Sequence, residues 1–251
     1  MTAIKLTSQV LEQLGRYDTP TICNAVELFG LRRQDTGYMN NRIKSLFPDL
    51  PPVVAYATTA TMRCAAPRSK FDPTGSLEEQ IERFSEIPSP PIVVFQDLDD
   101  PPLSATFGEV MCATYHRFGA VGIITNGAAR DVDAIRQYDF AVFAPGTICA
   151  HGYTHVRSIN TTVRVGGLIV QPGDLLHGDS NGVVSIPLEI ASEVPEVAAE
   201  YVEAEGLVFD FLKSDVSNVK LLREVRKEMF RRLEDLEQRL RIRKGNSNKQ
   251  G

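Results

Sequence analysis

Most of the patterns that assign a chain to a familiar chemistry are missing from this 251-residue sequence. Its four cysteines, Cys23, Cys64, Cys112 and Cys149, are scattered, with no CxxC pair and no zinc-like spacing. Reduced thiols in a cytoplasmic protein are the simplest reading. The histidines, His116, His151, His155 and His177, show no HExxH arrangement, which argues against a histidine-ligated metal. No GxGxxG follows a strand-like run and no GxxxxGK[ST] occurs, so nucleotide binding has no support. A GxSxG elbow is absent as well. No lysine falls in a run that reads as a buried strand, so a Schiff-base mechanism has no candidate whose burial would lower its pKa. No apolar run approaches the roughly 18 residues of a membrane span, and the first residues lack a secretory apolar region. With a formal charge of −5, general nucleic-acid binding is not expected, although a local basic patch would survive that balance. The expectation is a soluble intracellular protein that binds neither membrane nor nucleic acid.

What is present is an ordinary globular composition, 43% apolar and 24% charged, long enough to bury a substantial core. Residues 7–16 carry a helical pattern with Thr7 or Ser8 as cap. A second helix is expected from Thr19-Pro20, with Ile22, Ala25, Val26 and Leu28 along it. Residues 51–57 and 58–64 follow, the latter alternating like a half-buried strand. Residues 76–86 predict an amphipathic helix with Leu77, Ile81 and Phe84 on one face. From 92 to 144 the pattern alternates: a buried strand at 92–97, a helix at 108–118, a strand at 120–125, a helix at 131–138 and a strand at 140–144. That is βαβ logic, which predicts parallel strands and an α/β fold.

The second half changes character. Short strands between 163 and 186 are joined by tight turns, Pro172-Gly173 suiting type II and Asn181-Gly182 suiting type I′. After Pro187 helix is expected over 188–205 and again to about 242. In that last run Leu222, Val225, Met229, Leu233, Leu236 and Leu240 recur at helical spacing. From Lys220 to Lys244 ten Lys/Arg stand against five Asp/Glu, a basic helix on an acidic chain. It reads first as an oligomer-packing or surface helix, and second as a partner-binding one. The tail from 245 to 251 is expected to be disordered.

The residues able to do chemistry lie between 108 and 131. Asp131 falls between a buried strand and a helix, where it would serve as an N-cap. It is also at the carboxyl end of a parallel strand, where open α/β sheets bind ligands. Arg130 beside it would make a surface ion pair, or would offer a planar, permanently charged fork to a keto acid or its enolate. Glu109 suits the first turn of its helix electrostatically. The same turn presents amide groups of Val110 and Met111 that can hold a carboxylate, and Gly108 would let that ligand approach closely.

Gly108-Glu109, twenty further residues, then Arg130-Asp131, with Gly127 and the later PGDLLHGDSNGVVSIP, resemble the RraA-like superfamily. That group holds class II pyruvate aldolases of the 4-hydroxy-4-methyl-2-oxoglutarate / 4-carboxy-4-hydroxy-2-oxoadipate type, and the regulator of ribonuclease E activity. The resemblance spans roughly residues 10–206. It implies a swivelling β/β/α-type domain, expected over 1–206; the C-terminal helical extension expected over 207–244 lies outside the resemblance. It also implies homotrimers, or hexamers as dimers of trimers, with active sites between subunits. By the same resemblance Asp131 holds a divalent Mg²⁺ or Mn²⁺, and Arg130 binds a small 2-keto acid substrate and stabilises the pyruvate enolate. Gly108 and the amides of Val110 and Met111 hold the substrate carboxylate. Glu109 stands where the family usually has Asp, keeping the charge with one more methylene. A carboxylate from the neighbouring subunit corresponds to Glu205, with Glu203 as the alternative, and a further acidic position falls on Asn24. The implied activity is a metal-dependent lyase that gives pyruvate enolate, by retro-aldol cleavage or oxaloacetate decarboxylation. The alternative is a non-catalytic regulator like the ribonuclease E inhibitor. Arg63, Arg68 and Lys70 are candidates for a second substrate carboxylate, or plain surface charge.

Overall fold

The structure, a computed structural model, describes residues 5–72 and 75–247, with side chains described as far as residue 243. The chain opens with helices α1 (Ser8–Leu14) and α2 (Thr19–Leu28), capped by the side chains of Thr7 and Asp18, which accept from the amides of Val10 and Thr21. Strands β1 (Lys44–Ser45) and β2 (Val53–Arg63) lead to α3 (Leu77–Glu82), whose Ser76 and Glu79 form a reciprocal capping box. Next come β3 (Pro91–Asp97), β4 (Ala105–Phe107), α4 (Glu109–Arg117), β5 (Gly122–Thr125), β6 (Ala128–Ala129), α5 (Val132–Ile135) and β7 (Ala141–Ala144). Strands β8 (His155–Ile159), β9 (Val163–Val165), β10 (Leu168–Val170), β11 (Leu175–Asp179) and β12 (Gly182–Ile186) precede the long helices α6 (Val194–Lys213) and α7 (Val219–Ser247).

Eight strands form one sheet in the order β1-β7-β5-β3-β2-β11-β12, with β8 also paired to β2. The pairs β2–β3, β3–β5 and β5–β7 are parallel, as the alternating pattern from 92 to 144 predicts. Side chains alternate across the sheet with period two. Val93 and Phe95 of β3 pack with Tyr115, Cys112 and Ile135 of the α4–α5 layer. Ile92 and Val94 point the other way, onto Val163, Val165 and Val170 of the β9–β10 hairpin. At the β11–β12 end, Tyr56, Leu175 and Ile186 meet Leu14, Ile22, Val197, Leu236 and Leu240 of helices α1, α2, α6 and α7.

Several details depart from expectation. Residues 53–63 are one strand, nearly all buried, because β2 is central and covered on both sides. The β11–β12 turn is not type I′: Ser180 and Asn181 are not among the positive-φ residues, and Gly182 (φ 129°) takes the left-handed position instead. Asp179 Oδ1 accepts from Asn181 N and sets that turn locally. The helix expected from 188 begins at Val194 and runs unbroken through residue 206 to Lys213. Helix α7 continues to Ser247, past the expected end near 242 and into the stretch from 245 expected to be disordered. The tail expected to be disordered lies, from 248, outside the described residues. The expected α/β architecture with C-terminal helices is the observed one. Within the described residues no helix is long and apolar enough to cross a membrane.

Candidate active site

Two very short strands build the site. β4 and β6 pair in parallel, Ala105 opposite Ala128 and Phe107 opposite Ala129. Arg130 N then donates to Phe107 O at 3.2 Å. This ribbon brings Gly108, the residue before α4, abreast of Arg130 and Asp131 although 22 positions separate it from Arg130. An ideal Cβ on Gly108 would stand 2.5 Å from Asp131 Oδ2 and 2.9 Å from Arg130 Nε. Its backbone is extended (φ −146°), so glycine is needed there for space and not for conformation.

Asp131 occupies the N-cap position of α5 without capping it. Its backbone is left-handed (φ 56°, ψ 33°), uncommon for a residue with a side chain. The carboxylate reaches across to the neighbouring helix, where Oδ2 accepts from Glu109 N at 3.2 Å and lies 3.5 Å from Arg130 Nε. Of the two readings open in the sequence, local cap or outward-facing ligand, the geometry excludes the cap. The first intrahelical bond of α4 runs from Cys112 N to Gly108 O, so the Val110 and Met111 amides have no acceptor inside the helix. They open beside the Arg130–Asp131 pair, at the positive end of the helix.

Glu109 is the one member of the 108–131 set whose side chain turns aside. Its Oε1 accepts from Gln137 Nε2 and Tyr138 OH, both at 3.2 Å, on the segment after α5. Behind the cluster, burial pushes the Cys112 thiol well above its usual range, and the charge of Asp131 pushes the same way. Cys112 is fully buried and packs in the core beneath α4.

A buried polar buttress supports the ribbon, and of it only Gly127 was picked out from the sequence. Asp97 ends β3, and its backbone N–H and C=O pair with the Asn126 amide at 2.8 and 2.9 Å. Thr106 of β4 donates to Asp97 Oδ2 at 3.4 Å. Gly127 sits against both: a Cβ there would fall 2.0 Å from Thr106 Oγ1 and 2.6 Å from Asp97 Oδ2. Burial raises the Asp97 pKa; the Asp99 amide that donates to its carboxylate opposes the rise, and the Asp99 charge adds to it. The Asp99 carboxylate is tied to the amides of Cys64 and Ala65. The available signal was an Asp at the end of an apolar strand and a glycine just past the end of the next one.

Glu205 is elsewhere in the chain. It lies on α6, which packs on α2, where burial and the charge of Asp18 raise its pKa. Glu203, the alternative, is 3.7 Å from Arg232 on α7. Asn24 is on α2 and likewise belongs to the helical layer at the β11–β12 end. Arg63 is paired at 3.5 Å with Asp99, and Arg68 and Lys70 are exposed in the loop before α3. The chain thus brings Gly108, the Val110 and Met111 amides, Arg130 and Asp131 together, and keeps Glu205 apart from them.

Among the described residues no group of three or more His, Cys, Asp or Glu side chains is arranged to hold a metal ion. A cation at Asp131 would take one carboxylate from this chain. That donor set suits Mg²⁺ or Mn²⁺, which keep several waters and accept one or two carboxylates. It does not suit zinc, which takes three or four protein ligands.

A family model described as RraA-like, Aldolase/RraA, matches residues 19–185. A relative in Halalkalibacterium halodurans, named "Putative 4-hydroxy-4-methyl-2-oxoglutarate aldolase", is 34% identical over 100 residues, covering 39% of this chain and 48% of the relative. One of the same name in Hahella chejuensis is 26% identical over 173 residues, 68% of this chain and 94% of the relative. The chain spans about half the length of the first of these curated relatives. Among solved structures, an uncharacterized protein from Pseudomonas syringae pv. tomato superposes with a TM-score of 0.70 at 20% identity, covering 90% of this chain and 97% of that one. Streptomyces coelicolor RraAS2, described as an unusual member of the RNase ES inhibitor RraA family, gives 0.64 at 21% identity, covering 80% and 96%. At such identities the structures show a shared fold.

Proposed function

From its membership of the RraA-like family, we propose that this chain is a divalent-metal-dependent lyase that cleaves a C–C bond of a small 2-keto acid to give pyruvate enolate. The observation that carries this reading is the Asp131 carboxylate, held outward in a left-handed backbone beside Arg130, both packed so closely on Gly108 that an added Cβ would collide with them. A divalent cation held by Asp131, when bound, supplies Lewis-acid polarisation of the 2-keto group. The residues of this chain supply the rest. The amides of Val110 and Met111 receive the substrate carboxylate at the α4 N-terminus, and Gly108, lacking a Cβ, lets Arg130 and Asp131 lie close against that turn. Arg130 donates to the 2-oxygen and offsets the negative charge that builds there as the C3–C4 bond breaks. In oxaloacetate decarboxylation that bond releases CO₂, its electron pair passes to the enolate, and protonation at C3 gives pyruvate. In a retro-aldol reaction the 4-hydroxyl must also lose its proton, which requires a base. Glu205 of a neighbouring copy, a carboxyl whose pKa burial and Asp18 already raise, would fill that role in a trimer or hexamer with inter-subunit sites.

Oxaloacetate decarboxylation makes the fewest demands on substrate recognition and is the direct test. Pyruvate release is measured with Mg²⁺ or Mn²⁺, with and without EDTA, for the wild type and Asp131→Ala. Metal-dependent turnover that the substitution abolishes is the expected result. A folded, metal-supplemented wild type with no turnover would refute the lyase reading and bring forward a non-catalytic regulator resembling the ribonuclease E inhibitor.

A further inference from the structure

The α6–α7 hairpin carries a surface that nothing in the candidate site uses. At its base the two helices pair within the chain. Ala204, Leu236 and Leu240 are buried, Glu203 meets Arg232 at 3.7 Å, and Glu200 binds Arg239. Toward the tip the same helices leave large apolar side chains in the open: Phe209, Leu212, Val219 and Phe230 are 56%, 61%, 72% and 48% exposed. The surface is continuous. Leu212, Val216, Val219 and Leu222 line one hollow, and Val219 and Leu222 also line the next, which runs along α7 to Phe230. On α7 the positions 219, 222, 226 and 230 follow helical spacing and form one stripe, with Arg226 lying over the Phe230 ring at 5.6 Å.

Charge separates the two helices. α6 has five acidic residues, Glu196, Glu200, Glu203, Glu205 and Asp210, against Lys213 alone. The first half of α7, from 219 to 232, has six Lys/Arg against two Glu. At the tip Asp210 and Asp215 on one side, and Lys220, Arg223 and Lys227 on the other, make no ion pair among the described residues. The apolar stripe of α7 therefore calls for a helix with exposed apolar residues and acidic flanks. α6 of this chain is such a helix, with Val202, Phe209 and Leu212 exposed at spacings of seven and three.

We propose that the hairpin tip is a self-association surface whose occupant is the hairpin of a second copy of this chain. The two copies pair about a two-fold axis, the acidic α6 of each lying against the basic first half of α7 of the other. An isologous contact of this kind uses the same patch twice, and a hairpin with one acidic and one basic helix is self-complementary under that rotation. The interhelical ion pairs already made at the base, Glu200–Arg239 and Glu203–Arg232, show the same chemistry within one chain. Pairing through the tip doubles whatever assembly the α/β body forms, and it is independent of the lyase reading.

The experiment is mass measurement by light scattering or sedimentation equilibrium on three full-length variants. Leu212→Lys sets a cation against the basic helix of the other copy while remaining favourable in the last turn of α6. It should halve the particle mass of the wild type with an unchanged melting temperature. Arg223→Glu with Lys227→Glu makes α7 acidic at the tip, and Asp210→Lys on α6 with Asp215→Lys just after it makes the α6 side of the tip basic. Each alone should also give the half-mass particle. Mixed together they should restore the full mass, because both α6–α7 contacts are again of opposite charge. Raised salt should weaken the wild-type pairing. Equal masses for the wild type and a folded Leu212→Lys would overturn the proposal. So would failure of the two charge-swapped variants to pair on mixing. Retention of polyanions or acidic peptides by a wild type that does not pair would reassign the face to a different partner.

Discussion

Replacing Gly108 by alanine separates the site from the fold. The added Cβ would stand 2.5 Å from Asp131 Oδ2, 2.9 Å from Arg130 Nε and 3.1 Å from Arg130 Cγ. Ordinary contacts of carbon lie near 3.5 Å, so the Asp131 carboxylate must retreat by roughly 1 Å. That movement breaks its bond to Glu109 N and shifts the guanidinium beside it. A misplacement of about 1 Å costs on the order of 100-fold in rate, or about 2.7 kcal/mol in the barrier. The fold should barely respond, because φ −146° suits alanine and an N-cap glycine differs from alanine by about 1 kcal/mol or less. The assay is kcat/KM for metal-dependent oxaloacetate decarboxylation, read alongside a urea unfolding curve. Gly146→Ala is the control: nothing lies within 4 Å of its added Cβ, and it should match the wild type in both. Full activity in Gly108→Ala, or a loss of activity that merely follows unfolding, would refute the reasoning.

Three further outcomes follow from the same geometry. Asp131→Gly should abolish turnover yet unfold within about 1 kcal/mol of the wild type in urea, because relief of the left-handed backbone offsets the loss of the bond to Glu109 N. Gly127→Ala should instead destabilise by roughly 1–3 kcal/mol, since its Cβ meets Thr106 Oγ1 and Asp97 Oδ2 in a buried, inflexible place; a melting curve like that of the wild type would show that the buttress can yield. His177 is fully buried, between Thr19 Oγ1 at 2.9 Å and Leu14 O at 3.3 Å, and burial lowers its pKa below the usual 6.5. The unfolded chain then binds a proton that the fold rejects, so the stability due to His177 is complete above pH 6.5 and is lost as pH falls. The difference in urea midpoint between the wild type and His177→Gln should therefore narrow from pH 7.5 to pH 5.5, and a constant difference would contradict a neutral buried imidazole.

Side-chain period and cap chemistry act over a few residues, and where they decided structure the sequence was sufficient. The alternation of apolar runs and helical patterns from 92 to 144 determined the parallel strands β3, β5 and β7 and the helices between them. Thr7, Ser76 and the proline at the start of α2 determined helix starts. The pairing of Gly108 with Arg130 and Asp131 was legible as a spaced motif. The left-handed Asp131 was not, since aspartate between a strand and a helix reads as a cap until the backbone shows its carboxylate leaving its own helix. The β4–β6 ribbon was also hidden: strands of three and two residues carry no periodicity, and only long-range pairing makes them strands. The burial of 58–60 and of Met62 followed from β2 lying in the middle of the sheet, which local alternation does not encode. Asp97 drew no notice as a polar residue at a strand end, and became part of the site's support only when Thr106 and Gly127 closed over it. Glu205 could be named from the sequence, but its separation from Arg130 within one chain could not. Local propensity is thus written in neighbouring residues, whereas the chemistry of this site depends on which distant segments the sheet brings within hydrogen-bonding range.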